Sequence, residues 1–251
     1  MTPTPRTLYV HDDLTEETAR RHGDDADVTL RARELLALVA RDPSRVTVLT
    51  LGPQLDALIA RGPHAPFSIA IGIGAAGERV ARQVDARTAW FPVLERIELA
   101  REESAGGGYA LSTLGAAPLE TQLAGAARHA SIAVVDDTVF SGLTLAATLR
   151  ALPSGALART RAFCLRAVGE SLETVAKLCP VAAGFVASGR LLEDVSFINA
   201  SGLVRRGAIR RAGRLPLAFF ERPEWMRAWF GDDADEAIAR CADLARRLGE
   251  I

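Results

Sequence analysis

The sequence predicts an α/β protein with a mainly parallel, twisted sheet and helices on both faces. Two observations carry this. Apolar runs of strand length alternate with helix-length amphipathic segments along most of the chain, which is the order of a sheet whose strands are joined by crossover helices. The runs themselves, such as "FSIAIGIG" and "SIAVV", are almost continuously apolar, as strands covered on both faces are. With 251 residues and 49% hydrophobic content, the chain is long enough for one such domain with additions and too apolar for disorder.

Taken in order, residues 14–22 and 29–41 read as helices. The second sets Leu30, Leu35, Leu36, Leu38 and Val39 on one broad face and stops at Asp42-Pro43. "RVTVLTLG" is a buried strand, and "GPQLDALIARG" is a short helix opened by Pro53 and closed by Gly62. "FSIAIGIG" is the next strand, with a helix over 77–84 behind it. There follow "TAWFPVLERIEL", a glycine-rich break "REESAGGG", "YALSTLG", a helix near 118–128, and the strand that opens "SIAVVDDTVFSGLT". "TRAFCLRAV" and "VAAGFVAS" add strands, whereas 195–222 reads as irregular and rich in Phe and Arg. The end, "DDADEAIARCADLARRLGEI", is an acid-started helix with Ile238, Cys241, Leu244 and Leu248 on one stripe, suited to a core or a dimer contact. The expected organisation is an N-terminal helical extension over 1–45, an α/β core over 46–190, and a variable hood with C-terminal helices over 191–251.

Composition narrows the function. A net charge of −1 provides no global field for nucleic acid, and the local run Arg205, Arg206, Arg210, Arg211 and Arg214 reads as a solvated face. Cys164, Cys179 and Cys241 lack metal-ligand spacing and are expected as reduced, buried thiols. With no apolar stretch near ~18 residues and no leader pattern at the start, the expectation is a cytoplasmic protein without a membrane partner. His11, Asp12 and Asp13 read as a helix cap, and His22, His64 and His129 as solvated side chains.

Asp136 and Asp137 stand side by side where a buried strand ends. In an open parallel sheet, ligands collect at the carboxyl ends of strands, where loops present free amides at a helix N-terminus. Residues Phe140 to Thr144 can wrap a phosphate there, with Gly142 allowing close backbone approach and Ser141 and Thr144 adding hydroxyls. Two carboxylates would repel that phosphate, so they need a part of the ligand that offers hydroxyl donors. A ribose 5-phosphate meets both demands.

"AVVDDTVFSGLTL" resembles the phosphoribosyl diphosphate signature of the type I phosphoribosyltransferases, and "YALSTLGAAPLETQ" is similar to the strand and helix before it in adenine phosphoribosyltransferases. The resemblance covers roughly residues 46–190. It implies that Asp136, Asp137, Thr138, Val139, Phe140, Ser141, Gly142, Leu143 and Thr144 hold the ribose 5-phosphate, and that Mg²⁺ is a cofactor held mainly by the substrate, without a direct protein ligand. "GIGAAG" then becomes the diphosphate loop, with Gly74, Ala75, Ala76 and Gly77 offering amides and Arg79 and Arg96 adding charge. By letter it is also a dinucleotide fingerprint, yet such a site wants an acid ~20 residues on at a strand end, and that reading leaves the two aspartates without a role. The loop 101–108 with its three glycines suits a lid, and the resemblance implies that a basic residue of this region, Arg96 or Arg101, reaches the leaving diphosphate.

The implied activity is transfer of 5-phosphoribosyl from its diphosphate to a small nitrogen acceptor, by a homodimer. The hypoxanthine and guanine enzymes carry an acid where Phe140 stands, so proton transfer to a base of that kind is missing here. Phe140 and Phe197 are instead candidate acceptor contacts. The alternatives are a sensor that binds phosphoribosyl diphosphate without turnover and, third, a nucleotide-dependent oxidoreductase.

Overall fold

The computed structural model describes residues 4–62, 65–104 and 108–250. The chain opens with β1 (Thr7–His11), α1 (Leu14–His22), α2 (Asp27–Val39) and β2 (Val46–Leu49). It continues through α3 (Leu51–Arg61), β3 (Ile69–Ile73), α4 (Gly74–Thr88), β4 (Leu94–Ile97), β5 (Ala100–Glu103) and β6 (Tyr109–Ser112). Next come α5 (Leu119–Leu123), β7 (Ile132–Val139), α6 (Leu143–Arg150), β8 (Thr160–Val168), α7 (Gly169–Ala176) and β9 (Val181–Ala187). The last part holds β10 (Val195–Asn199), α8 (Ala200–Val204), β11 (Ile209–Arg211), β12 (Arg214–Leu217), α9 (Pro223–Phe230) and α10 (Ala234–Arg247). These elements fall into two compact units. One takes the described residues up to Leu51, those around 102–104, and those from Leu192 onward; the other takes Gly52–Arg101 and Tyr109–Leu191.

The second unit is a five-stranded sheet in the order β4-β3-β7-β8-β9 with every pair parallel. Alternate residues of its strands, Ile69, Ile71, Ile132, Val134, Ala162 and Cys164, share one core with Leu123 of α5, Leu145 and Leu149 of α6, and Val175 of α7. Helix α4 covers the opposite pleat, where Val80, Ala81 and Val84 are buried. Near them an aromatic cluster of Phe67, Phe91 and Phe163 has ring centroids 5.5 to 5.9 Å apart. This is the α/β layering that the near-continuous apolar strands require.

Helix α4 starts at Gly74, three residues before the sequence pattern suggested, so 74–77 is its first turn. Gly77 is there because nothing larger fits. A Cβ at Gly77 would stand 2.3 Å from the Val135 carbonyl oxygen, so the helix can lie on β7 only through a glycine. That close approach fixes the start of α4 against the strand that carries the two aspartates.

The first unit holds a smaller parallel sheet, β10-β1-β2, with β1 in the centre. Segments 1–45 and 191–251, read separately from the sequence, share one core here. Leu8 and Val10 of β1 are buried with Leu35 and Leu38 of α2, Met226 and Trp229 of α9, and Cys241 and Leu244 of α10. The α10 stripe therefore packs inside its own unit, with Ile238 and Leu248 at the margin. Residues 195–222, expected as irregular, instead form β10, α8 and the β11–β12 hairpin. The partner of β10 is β1, at the other end of the chain, so no local pattern announces the pairing. Cys164, Cys179 and Cys241 are free and buried, and burial pushes each thiol pKa up. Among the described residues, no helix is long and apolar enough to cross a membrane.

Replacing Gly77 with Ala is expected to destabilise the fold by about 1–3 kcal/mol, the usual range for overpacking, read as a lower urea midpoint at unchanged slope. An unaltered midpoint would mean that α4 does not lie against β7 as described.

Candidate functional site

In the five-stranded sheet, the chain adds β4 on one side of β3 and then returns to add β7 on the other. The reversal leaves a crevice at the carboxyl ends of β3 and β7, the usual ligand position in an open α/β sheet. Both motifs singled out from the sequence lie there. The first turn of α4 follows β3 directly, and β7, paired to β3 through Gly72 and Val135, carries Asp136 and Asp137. Strand β7 stays paired with β8 as far as Val139, so the carboxylates sit within its last turns of pleat and not beyond its end.

The two acids have different surroundings. Asp136 is buried and faces a small pocket of about 30 Å³, shared with Arg101 and the loop 138–145. Burial, and after it the negative charge of Asp137, push the Asp136 carboxyl well above the usual carboxylate range, with Arg101 opposing the shift. Its Oδ1 accepts a hydrogen bond from the backbone N–H of Asp137 at 2.9 Å. The Asp137 side chain is 22% exposed, and its Oδ2 accepts from Arg166 Nη2 and from Thr138 Oγ1, each at 3.2 Å. Arg166 lies in β8 in register with Thr138 and is fully buried. The sequence reading passed over it, although an arginine set among the apolar residues of "TRAFCLRAV" was a signal.

After Val139 the chain turns sharply. The Phe140 carbonyl accepts a hydrogen bond from Ser171 Oγ at 2.7 Å, which ties the loop to α7. Gly142 then takes φ 72° and ψ −5° immediately before α6, a left-handed conformation that a residue with a side chain adopts at a cost of about 1–2 kcal/mol. An added Cβ would point at Ser171 and Val175 of α7, so the structure's own reason for glycine here is backbone angle. The first-turn amides of α6, which have no carbonyl of the helix to bond, end this loop.

The remaining candidates are placed as follows. Arg101 lies with its guanidinium 5.4 Å from the Phe140 ring centroid and 5.7 Å from that of Tyr109, which sets a cation over the pocket mouth. Arg79 is exposed on α4, while Arg96 is paired with Glu98 at 2.5 Å and with Glu78 at 3.6 Å. Phe140 is half-buried in the loop, whereas Phe197 belongs to the first unit, buried in β10 and stacked on Tyr9 at 5.2 Å. Of the three glycines expected in a lid, Gly106 and Gly107 lie outside the described residues, as does His64. The Gly108 carbonyl accepts from the Ser104 N–H at 3.1 Å. In the first unit, Asp12 Oδ1 caps α1 through the Thr15 N–H at 2.9 Å, and Asp13 accepts from the Ser201 N–H at 2.8 Å. Among the described residues, no three His, Cys, Asp or Glu side chains are grouped to hold a metal ion.

No family model matches the chain, and no curated protein matches it. Among solved structures, it is similar to the AQ2163 protein from Aquifex aeolicus at 14% identity, over 48% of this chain and 54% of that one, with a TM-score of 0.36. It is similar to orotate phosphoribosyltransferase from Aeropyrum pernix at 21% identity, over 53% and 69% of the two chains, with a TM-score of 0.36. For the TT1426 protein from Thermus thermophilus the identity is 20%, the coverage 53% and 80%, and the TM-score 0.32. The chain thus spans about half the length of the AQ2163 protein. Likenesses of this size set no function, so the residues of the site have to carry it.

The two carboxyls lead to a pH test. With its folded-state pKa raised, Asp136 holds a proton that the unfolded chain releases. The stability this lends is full below the unfolded pKa, about 4, and is lost as pH rises through the folded value. Asp136→Asn keeps an oxygen for the Asp137 N–H and cannot ionise. In urea titrations of the ligand-free protein from pH 4 to 8, the variant is expected to gain on wild type as pH rises. A stability difference independent of pH would remove the assignment.

Proposed function

We propose that this protein is a phosphoribosyltransferase that transfers 5-phosphoribosyl from phosphoribosyl diphosphate to a small nitrogen acceptor and releases diphosphate. The observation that carries this reading is the placement of "VVDDTVFSGLT". The segment folds as a central strand that brings two acids to the carboxyl edge, then a left-handed glycine turn into a helix N-terminus, beside the first turn of α4 on the neighbouring strand. One ligand uses all of it. A 5-phosphate suits the amides of 140–144, ribose hydroxyls suit the two carboxyls, and a diphosphate suits the first turn of α4.

The chemistry follows from charge. As the acceptor nitrogen forms its bond to the anomeric carbon, the bond from that carbon to diphosphate oxygen breaks and its electron pair leaves with diphosphate. Positive charge grows on the sugar ring beside the Asp137 carboxylate, and negative charge grows on the leaving group, towards which Arg101 and Arg79 can turn. Phe140 carries no group for proton transfer and instead lines the pocket under Arg101. The donor set fits Mg²⁺ brought by the substrate, because Asp136 favours its proton and Asp137 is engaged by Arg166, leaving hydroxyl recognition as their better role. Mg²⁺ bound to the diphosphate would neutralise the leaving group.

Calorimetric titration with phosphoribosyl diphosphate and Mg²⁺, followed by a diphosphate-release assay across nucleobases and small amines, tests the reading. Binding with release for some acceptor is expected, and Asp137→Asn should weaken binding by roughly 10- to 100-fold, the worth of a charge-assisted hydrogen bond. Binding without release across the panel would favour a sensor. Tight binding of a nicotinamide dinucleotide, with none of phosphoribosyl diphosphate, would sink the proposal.

A further inference from the structure

A guanidinium with no exposed surface needs a reason, because an ionised group taken out of water is retained only where charge and hydrogen bonding answer it. Arg166 is that group. Its Nη2 donates to Asp137 Oδ2 at 3.2 Å, and the same oxygen accepts from Thr138 Oγ1, so this end of the carboxylate is set from two sides. Both donors belong to the rigid part of the sheet, Thr138 and Arg166 being register partners in β7 and β8. The neighbouring Asp136 faces the pocket with Arg101. From these contacts we infer that Arg166 is a positioning residue for the sugar: it fixes the charge and orientation of Asp137 and thereby makes the site prefer a vicinal diol. The inference rests on the ribose 5-phosphate reading above.

The physical reason is one of alternatives. A half-buried carboxylate beside a second acid can lower its cost by taking a proton or by rotating toward water, and either change removes a directed, ionised acceptor from the sugar. A buried cation bonded to one oxygen prevents both. Arginine suits this better than lysine, because a planar guanidinium presents its donors in a fixed direction whereas an ammonium group rotates. The phosphate cradle lies in 140–144 and does not use Arg166, so the two halves of the ligand are recognised separately.

Separate recognition can be measured. Affinities for ribose 5-phosphate, for its 2-deoxy and 3-deoxy analogues and for inorganic phosphate would be compared by calorimetry in wild type, Arg166→Met, Asp137→Asn and the double variant. Wild type is expected to prefer ribose 5-phosphate over at least one deoxy analogue by roughly tenfold or more, as one charge-assisted hydrogen bond gives. Arg166→Met should lose that preference while binding inorganic phosphate as wild type does. Should that variant not fold, the double variant buries no unpaired charge at this point, and its preference should match that of Asp137→Asn. Loss of thermal stability with the diol preference intact would overturn the positioning role alone, as would a clear further loss when Arg166 is changed on the Asp137→Asn background. Failure of wild type to bind any sugar phosphate would overturn the function reading and this inference together.

Discussion

The pairing of β7 between β3 and β8 is the constraint on which the rest of the site depends. Because β3 already carries β4 on its other side, β7 can join only by crossing back, and that reversal opens the crevice at the carboxyl edge. The close seat of Gly77 on the Val135 carbonyl then sets the start of α4 next to the acids of β7. Backbone hydrogen bonding thus decides which two loops meet, and one missing Cβ decides how closely.

The same strand shows how two identical side chains acquire different states. Asp136 and Asp137 are neighbours in sequence and linked by a hydrogen bond, yet one lies buried at the pocket and the other faces a buried guanidinium. Burial, and after it the charge of Asp137, raises the Asp136 carboxyl, whereas Asp137 has a guanidinium nitrogen 3.2 Å away. A site built in this way holds one carboxyl at the pocket and the other against a buried guanidinium, so the two neighbouring acids face different surroundings. Raising the pKa of Asp136 weakens the fold as pH rises, a cost expected where a group is held for a ligand and not for packing.

The first unit adds a second parallel sheet made from the two ends of the chain. Its centre is β1, and its core joins α2, α9 and α10. Hydrogen bonds and ion pairs within it engage the acids read as a helix cap and part of the basic run read as a solvated face. Asp12 caps α1, Asp13 holds the start of α8, and Arg205 and Arg206 of the basic run are paired with Glu17 and Glu221. Arg222, outside that run, bonds Glu103 at the end of β5, which registers with Arg211 of β11.

The central strands β3, β7 and β8 were legible in the sequence because each is built on a short apolar run buried on both faces. The placement of the two acids at the carboxyl edge, followed by a glycine turn, was legible because a charged pair and a glycine interrupt such a run. Local pattern could not announce β1, β10 or the hairpin 209–217, since each is short and the strands β1 and β10 find each other only across the length of the chain. Nor could it give Arg166 a role, because that role exists only once β8 lies beside β7 and its side chain meets Asp137. Arg96 was singled out for its charge, and the fold sets Glu78 and Glu98 beside it, a pairing that sequence position alone did not announce. Composition and periodicity thus determine which residues are buried and which segments turn. Which side chains meet is decided by strand order and register, because those set the distances between residues far apart in sequence.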